Sequence, residues 1–190
     1  MDTPLQRLEE FFGEDRALID ATLSGLARVV ERDDLPTVDE IIRLHLDKKF
    51  HFIREAALVG MDLRYESDKE AAFTLPDSKL EKLCAFWLTN GRGEEPDWYE
   101  VLAQARPEVV AKVVIQYTER AIKAKLEYVT GIWQLGRSAE LAAVANIAIP
   151  PLLASFPARA SQATPWVAGS ASQGRPVEHG EGGTHRPGGA

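Results

Sequence analysis

Pro96-Asp97-Trp98-Tyr99-Glu100-Val101-Leu102, then Arg106-Pro107-Glu108-Val109-Val110-Ala111, then Ser138-Ala139-Glu140-Leu141-Ala142-Ala143: these strings, within the run from Glu94 to Phe156, decide the fold class. Each opens with a helix start signal and continues with apolar residues at helical spacing. Pro107 suits a first turn, where a nitrogen without hydrogen gives up no bond. Ser138 is placed to cap the last helix. Past Pro107, Val110, Val114, Tyr117, Ala121, Ala124 and Tyr128 form one stripe. Ile115, Ile122, Leu126, Val129 and Trp133 form a second on another face. One stripe serves a helix at the edge of a bundle; two demand neighbours on both sides. This helix is therefore expected to be the best buried.

Working outward, the same grammar recurs. Thr3-Pro4-Leu5-Gln6, Thr37-Val38-Asp39-Glu40 and Ser78-Lys79-Leu80-Glu81 have the hydroxyl and the acid or amide of a capping box. Ile19, Leu23, Leu26 and Val30 step by three and four. Ile42, Leu46, Phe50, Ile53, Ala57 and Met61 do so along what reads as one longer helix. Asn90-Gly91 and Gly131 read as stops. Nothing alternates with period two, so no strand is predicted. The fold class is all-α: antiparallel helix hairpins stacked in a solenoid-like array. Aligning Pro107 with Ala139 pairs Val109 with Leu141, Ala111 with Ala143 and Ile115 with Ile147, a weak internal repeat. From Pro157 the chain turns rich in Gly, Pro, Ser and Ala, too poor in apolar mass to offset the entropy of ordering. The division is a helical-repeat domain over 1–156 and a disordered tail over 157–190.

Composition sets limits on partners. The 190 residues carry a formal net charge of −7, which disfavours nucleic acid and anionic membrane surfaces alike. The single cysteine, Cys84, lies in an apolar run and reads as a small buried hydrophobe. No basic segment followed by an apolar one opens the chain, so the expected address is the cytoplasm. The most apolar window, Leu141–Leu153, is too short to span a bilayer, contains Asn146 and is interrupted by Pro150-Pro151.

Candidate chemistry is sparse. His51 and Glu55, four apart, would share a helix face, but two ligands do not make a metal site. His45 and His51, six apart, would point away from each other. His179 and His185 lie among glycines in the tail. Glu94, Glu95 and Asp97 precede a helix, where acids meet the positive end of its dipole. Lys48-Lys49, with Arg54 nearby, is a small basic patch that reads as a solvated face. No phosphate loop, Gly-x-Ser-x-Gly or His-Glu-x-x-His motif occurs. No catalytic residue, cofactor or metal is expected.

Four strings carry a resemblance: Thr37-Val38-Asp39-Glu40-Ile41-Ile42-Arg43-Leu44-His45, Glu95-Pro96-Asp97-Trp98-Tyr99-Glu100-Val101-Leu102, Arg106-Pro107-Glu108-Val109-Val110-Ala111 and Pro151-Leu152-Leu153-Ala154-Ser155-Phe156-Pro157-Ala158-Arg159. Between Leu35 and Arg159 the chain resembles the HEAT-like helical-repeat region of large bacterial NACHT-type NTPases. The resemblance implies a solenoid segment or fragment of a larger protein, with no residue of the nucleotide site carried over. The expected function is a non-catalytic protein–protein interaction scaffold, with a protein partner or a second copy. Its surface would be the end of the stack, at Leu141, Ile147, Ile149, Leu152, Leu153 and Phe156, where no further amphipathic helix follows. The alternative is a small helical enzyme or ligand-binding bundle with a pocket near Trp87, Trp98 and Trp133.

Overall fold

The structure is a computed structural model and describes residues 4–90 and 95–156. Among them there are helices and no strands: α1 (Pro4–Phe12), α2 (Arg16–Val29), α3 (Val38–Leu46), α4 (Ile53–Ser67), α5 (Lys69–Ala72), α6 (Asp77–Asn90), α7 (Asp97–Ala105), α8 (Pro107–Lys123), α9 (Ile132–Leu135) and α10 (Ala142–Ser155). The tail expected over 157–190, the cap at Thr3 and the stop at Gly91 lie outside the described residues.

Local chemistry sets several helix starts. Glu40 N–H donates to Thr37 Oγ1 (3.2 Å) and Thr37 N–H to Glu40 Oε2 (2.8 Å), the reciprocal box that opens α3. Asp15 accepts from Leu18 N–H at the start of α2, and Asp68 from Glu70 and Ala71 N–H at α5. Pro107 begins α8.

Other local expectations are corrected. The longer helix through Ile42 and Met61 is two helices, broken between Leu46 and Ile53. Lys48 turns the chain there with φ 57°, leaving Phe50 outside any helix and 65% exposed. The box at Ser78–Glu81 does not form: α6 starts at Asp77, and Glu81 instead receives Lys112 from α8 at 2.6 Å. Ser138 caps nothing; its hydroxyl donates to Glu140, and α10 starts after Leu141 with no side-chain cap. Gly131 (φ 90°) precedes α9 rather than ending α8, which stops at Lys123 with Lys125 left-handed at φ 58°. Val110, Val114, Tyr117 and Ala121 are buried as the first stripe requires, but Tyr128 lies beyond the helix and is exposed. The repeat pairs share an environment only in part: Val109 and Leu141 are both buried and Glu108 and Glu140 both exposed, but Ala111 is buried and Ala143 exposed.

The even-numbered helices pack in succession, α2 on α4, α4 on α6, α6 on α8 and α8 on α10. Helix α3 lies against α6 and α8, and α7 against α8, α10 and α4. The deepest element is α6, not α8. Eight of its 14 residues are buried, against eight of 17 in α8, and they include the unbroken run Leu83–Thr89. A run buried on every side needs its polar member satisfied, and the Thr89 hydroxyl donates to the Ala85 carbonyl at 2.7 Å. Trp87 continues the core to Tyr99 of α7 (ring centroids 6.2 Å), and Tyr99 to Trp98 (6.0 Å). Outside this core, Arg106 at the α7–α8 elbow bonds Asp77 and the Phe73 carbonyl. Asp39 of α3 receives Gln116 and Arg120 of α8, each at 2.5 Å.

The α2–α4 contact depends on one missing side chain. A Cβ on Gly60 would lie 2.3 Å from the Leu26 carbonyl oxygen, whereas one on Gly25 would meet nothing within 4 Å. Gly60→Ala must push two backbones apart and is expected to cost about 2–3 kcal/mol. Gly25→Ala, exposed within α2, is expected to add about 0.5–1 kcal/mol. Chemical denaturation of the two variants beside the parent checks both signs.

Candidate interaction surface

Helix α10, Ala-Ala-Val-Ala-Asn-Ile-Ala-Ile-Pro-Pro-Leu-Leu-Ala-Ser, holds no charged residue and is apolar nearly all round. Such a helix is ordinarily buried on every side. Here Val144, Ala145 and Ala148 are buried, Leu152 packs half-buried on the core, and α8 is the main neighbour. Ser155 Oγ donates to Glu119 of α8 at 2.8 Å, the polar tie at the helix's C-terminal end. No side chain caps the N-terminus, no acid lies in the first turn and no base in the last. Packing, not end electrostatics, holds α10 in place.

The expected surface residues divide. Ile147 (38%), Ile149 (40%) and Leu153 (58%) are exposed, and Phe156 is half-buried. Leu141 is 1% exposed and does not belong to the surface. A helix start at Ser138 would have put it on the last helix, but it sits just before the first helical residue and belongs to the core. Pro150 and Pro151 do not interrupt α10, which runs through both. They lack the N–H groups that would bond the Asn146 and Ile147 carbonyls. All four residues are exposed, so water can reach those carbonyls.

Two tryptophans of the alternative reading are part of the core. Trp87 and Trp98 are 7% and 1% exposed; the side chain of Trp133 lies outside the description. Trp98 Nε1–H donates to Asp62 of α4 at 2.9 Å, bolting α7 to α4. Burial pushes the Asp62 carboxyl up to about 6, with the indole bond pulling it down and the nearby Glu66 and Asp97 pushing it up again. Glu95, expected in an acidic first turn, is half-buried before α7, and its Oε1 has no hydrogen-bond partner. Burial, then Glu100 and Glu140, raise its carboxyl above the ordinary range. Glu94 lies outside the described residues.

The remaining candidates resolve plainly. Cys84 is fully buried and its thiol is pushed up by burial. His51 and Glu55 do not share a helix face: His51 precedes α4 and accepts the Ile53 N–H on Nδ1, while Glu55 pairs with Arg54 at 2.6 Å. The break at 47–52 does bring His45 and His51 to one hollow, which a continuous helix would forbid. The signal for that break was the polar run Asp47-Lys48-Lys49 inside an apolar period. His45 lies 3.4 Å from the Tyr117 hydroxyl, and burial lowers its imidazole below the ordinary range. Among the described residues no three His, Cys, Asp or Glu side chains are grouped to hold a metal ion, and no helix is long and apolar enough to cross a membrane.

Comparison with known proteins found no matching family model, no similar curated protein and no similar solved structure.

The raised Asp62 carboxyl fixes a sign. The folded chain holds this proton more tightly than the unfolded chain does. The resulting stability is full below about 4 and is lost as pH rises through about 6. Asp62→Asn keeps an acceptor for the indole and removes the charge. It is expected to melt a few degrees above the parent at pH 7.5 and to lose that advantage near pH 4. Melting curves across this range check it.

Proposed function

We propose that this chain is a non-catalytic interaction module, an α-solenoid segment of antiparallel helix hairpins that docks a protein through the outer face of α10. The observation that carries the reading is the exposure of Ile147, Ile149 and Leu153 on a helix with no charged residue. Ile149 and Leu153, four apart, share one side of the helix, and exposed apolar surface of this kind marks contact sites. The successive packing of α2, α4, α6, α8 and α10 supports the array, since a solenoid stacks each unit on its neighbour. The helical-repeat resemblance agrees with that layout, and α10 would then be the place where a second copy or a further helical unit stacks.

Each Ile or Leu buried in such a contact contributes about 1.5–3 kcal/mol. The expected outcome is a mass, read by light scattering, that rises with concentration. Ile149→Glu with Leu153→Glu is expected to return the chain to monomer without lowering its melting temperature, because both side chains are already in solvent. A monomer at every concentration, unchanged by the two substitutions, would remove the support for self-docking through this face.

A further inference from the structure

The break between α3 and α4 reads Asp47-Lys48-Lys49-Phe50-His51-Phe52. It exposes two aromatic rings within three residues, Phe50 at 65% and Phe52 at 81%. They are held rather than loose. The Arg54 guanidinium sits 4.8 Å from the Phe50 ring centroid, and His51 stacks on Phe52 at 4.7 Å. Behind the loop is a shallow recess of about 10 Å³, room for about one water. His45, Lys49, His51 and Arg54 line it above Ile41 and Phe86, and no carboxylate lines it. The ammonium groups of Lys48 and Lys49 make no ion pair among the described residues. Helix α4 starts beside the hollow with no side-chain cap at Phe52, so its positive end adds to the same field. The acids that act here stand outside the hollow. Asp34 and Glu40 feel the charge of His51, and Glu55, 63% exposed, holds Arg54 from the solvent side.

We propose that this loop docks an acidic protein segment in which a carboxylate neighbours an apolar side chain. The carboxylate sits at the mouth of the recess against Lys49, His51 and Arg54, competing with Glu55 for a guanidinium that is already oriented. The apolar neighbour covers Phe50 and Phe52, adding the desolvated aromatic contact that carries most interface energy. Charge selects the occupant. The site is locally basic on a chain of net charge −7. A bilayer or a nucleic-acid strand would bring many negative charges against that whole body. A short acidic segment brings its few charges to the basic spot alone. This surface is separate from α10, and the α10 reading stands or falls without it.

The test is an array of immobilised octapeptides, each with one glutamate between leucine and phenylalanine and the other positions randomised, probed with the labelled full chain. Expected is retention on acid-containing peptides that falls as sodium chloride rises. Replacing the fixed glutamate by glutamine should cost at least about tenfold. Lys49→Glu and Phe52→Ser, both at exposed positions, should each abolish retention, and Leu153→Glu should leave it intact. Retention that survives Lys49→Glu overturns the proposal. So does a failure of every acid-containing peptide to bind. Preferential capture by phosphatidylserine vesicles would assign the loop to a lipid surface instead and equally overturn it.

Discussion

The burial of α6 on all sides is the constraint from which the rest follows. Seven consecutive residues, Leu83–Thr89, are excluded from solvent, and no single neighbour can do that to a helix. It takes α3, α4 and α8 together, which fixes where those three lie. Tyr99 and Trp98 then extend the core through Trp87 to α7, and α8 passes it on to α10. Exposed ion pairs at the rim, such as Arg120 with Asp39, contribute little beyond register. Apolar enclosure, not charge, holds the arrangement.

What could be read in advance was whatever depends on a few adjacent residues. The Thr37–Glu40 box and the start at Pro107 are local, and both formed. The Ser78–Glu81 box has the same letters and did not form, because the helix begins at Asp77, two residues before a Ser78 cap would start it, and Glu81 meets Lys112 across a helix interface. That competitor is 31 positions away in the chain and invisible to a local reading. The α3–α4 break was hidden for the opposite reason. Phe50 fell on the apolar period by coincidence while its ring faces solvent. Leu141 was counted with the uncovered apolar residues of the final helix, yet it lies one residue before that helix starts and is buried. The all-helical class was legible because periodicity accumulates over many residues; single positions at element ends were not.

The two proposed surfaces differ in chemistry. The α10 face is broad, uncharged and formed by a regular helix. The α3–α4 loop is small, basic and aromatic, built where the chain leaves helical geometry at Lys48. A surface of the first kind tolerates many apolar partners, and one of the second kind discriminates by charge. Between them, the Asp62–Trp98 bond ties α4, which the loop enters, to α7, which leans on α10.

The prolines of α10 impose a condition on whatever covers it. Pro150 and Pro151 leave the Asn146 and Ile147 carbonyls without the donors an unbroken helix provides, and their exposure leaves them to water. A purely hydrocarbon surface would exclude water from them and offer nothing in return, at several kcal/mol per orphaned carbonyl. A docking protein escapes the penalty only by bringing N–H or O–H groups to that turn, or by leaving a channel for the water. The same dipeptide that fails to break the helix thus turns an apolar stripe into a directional one, with two acceptors that a partner must match in position.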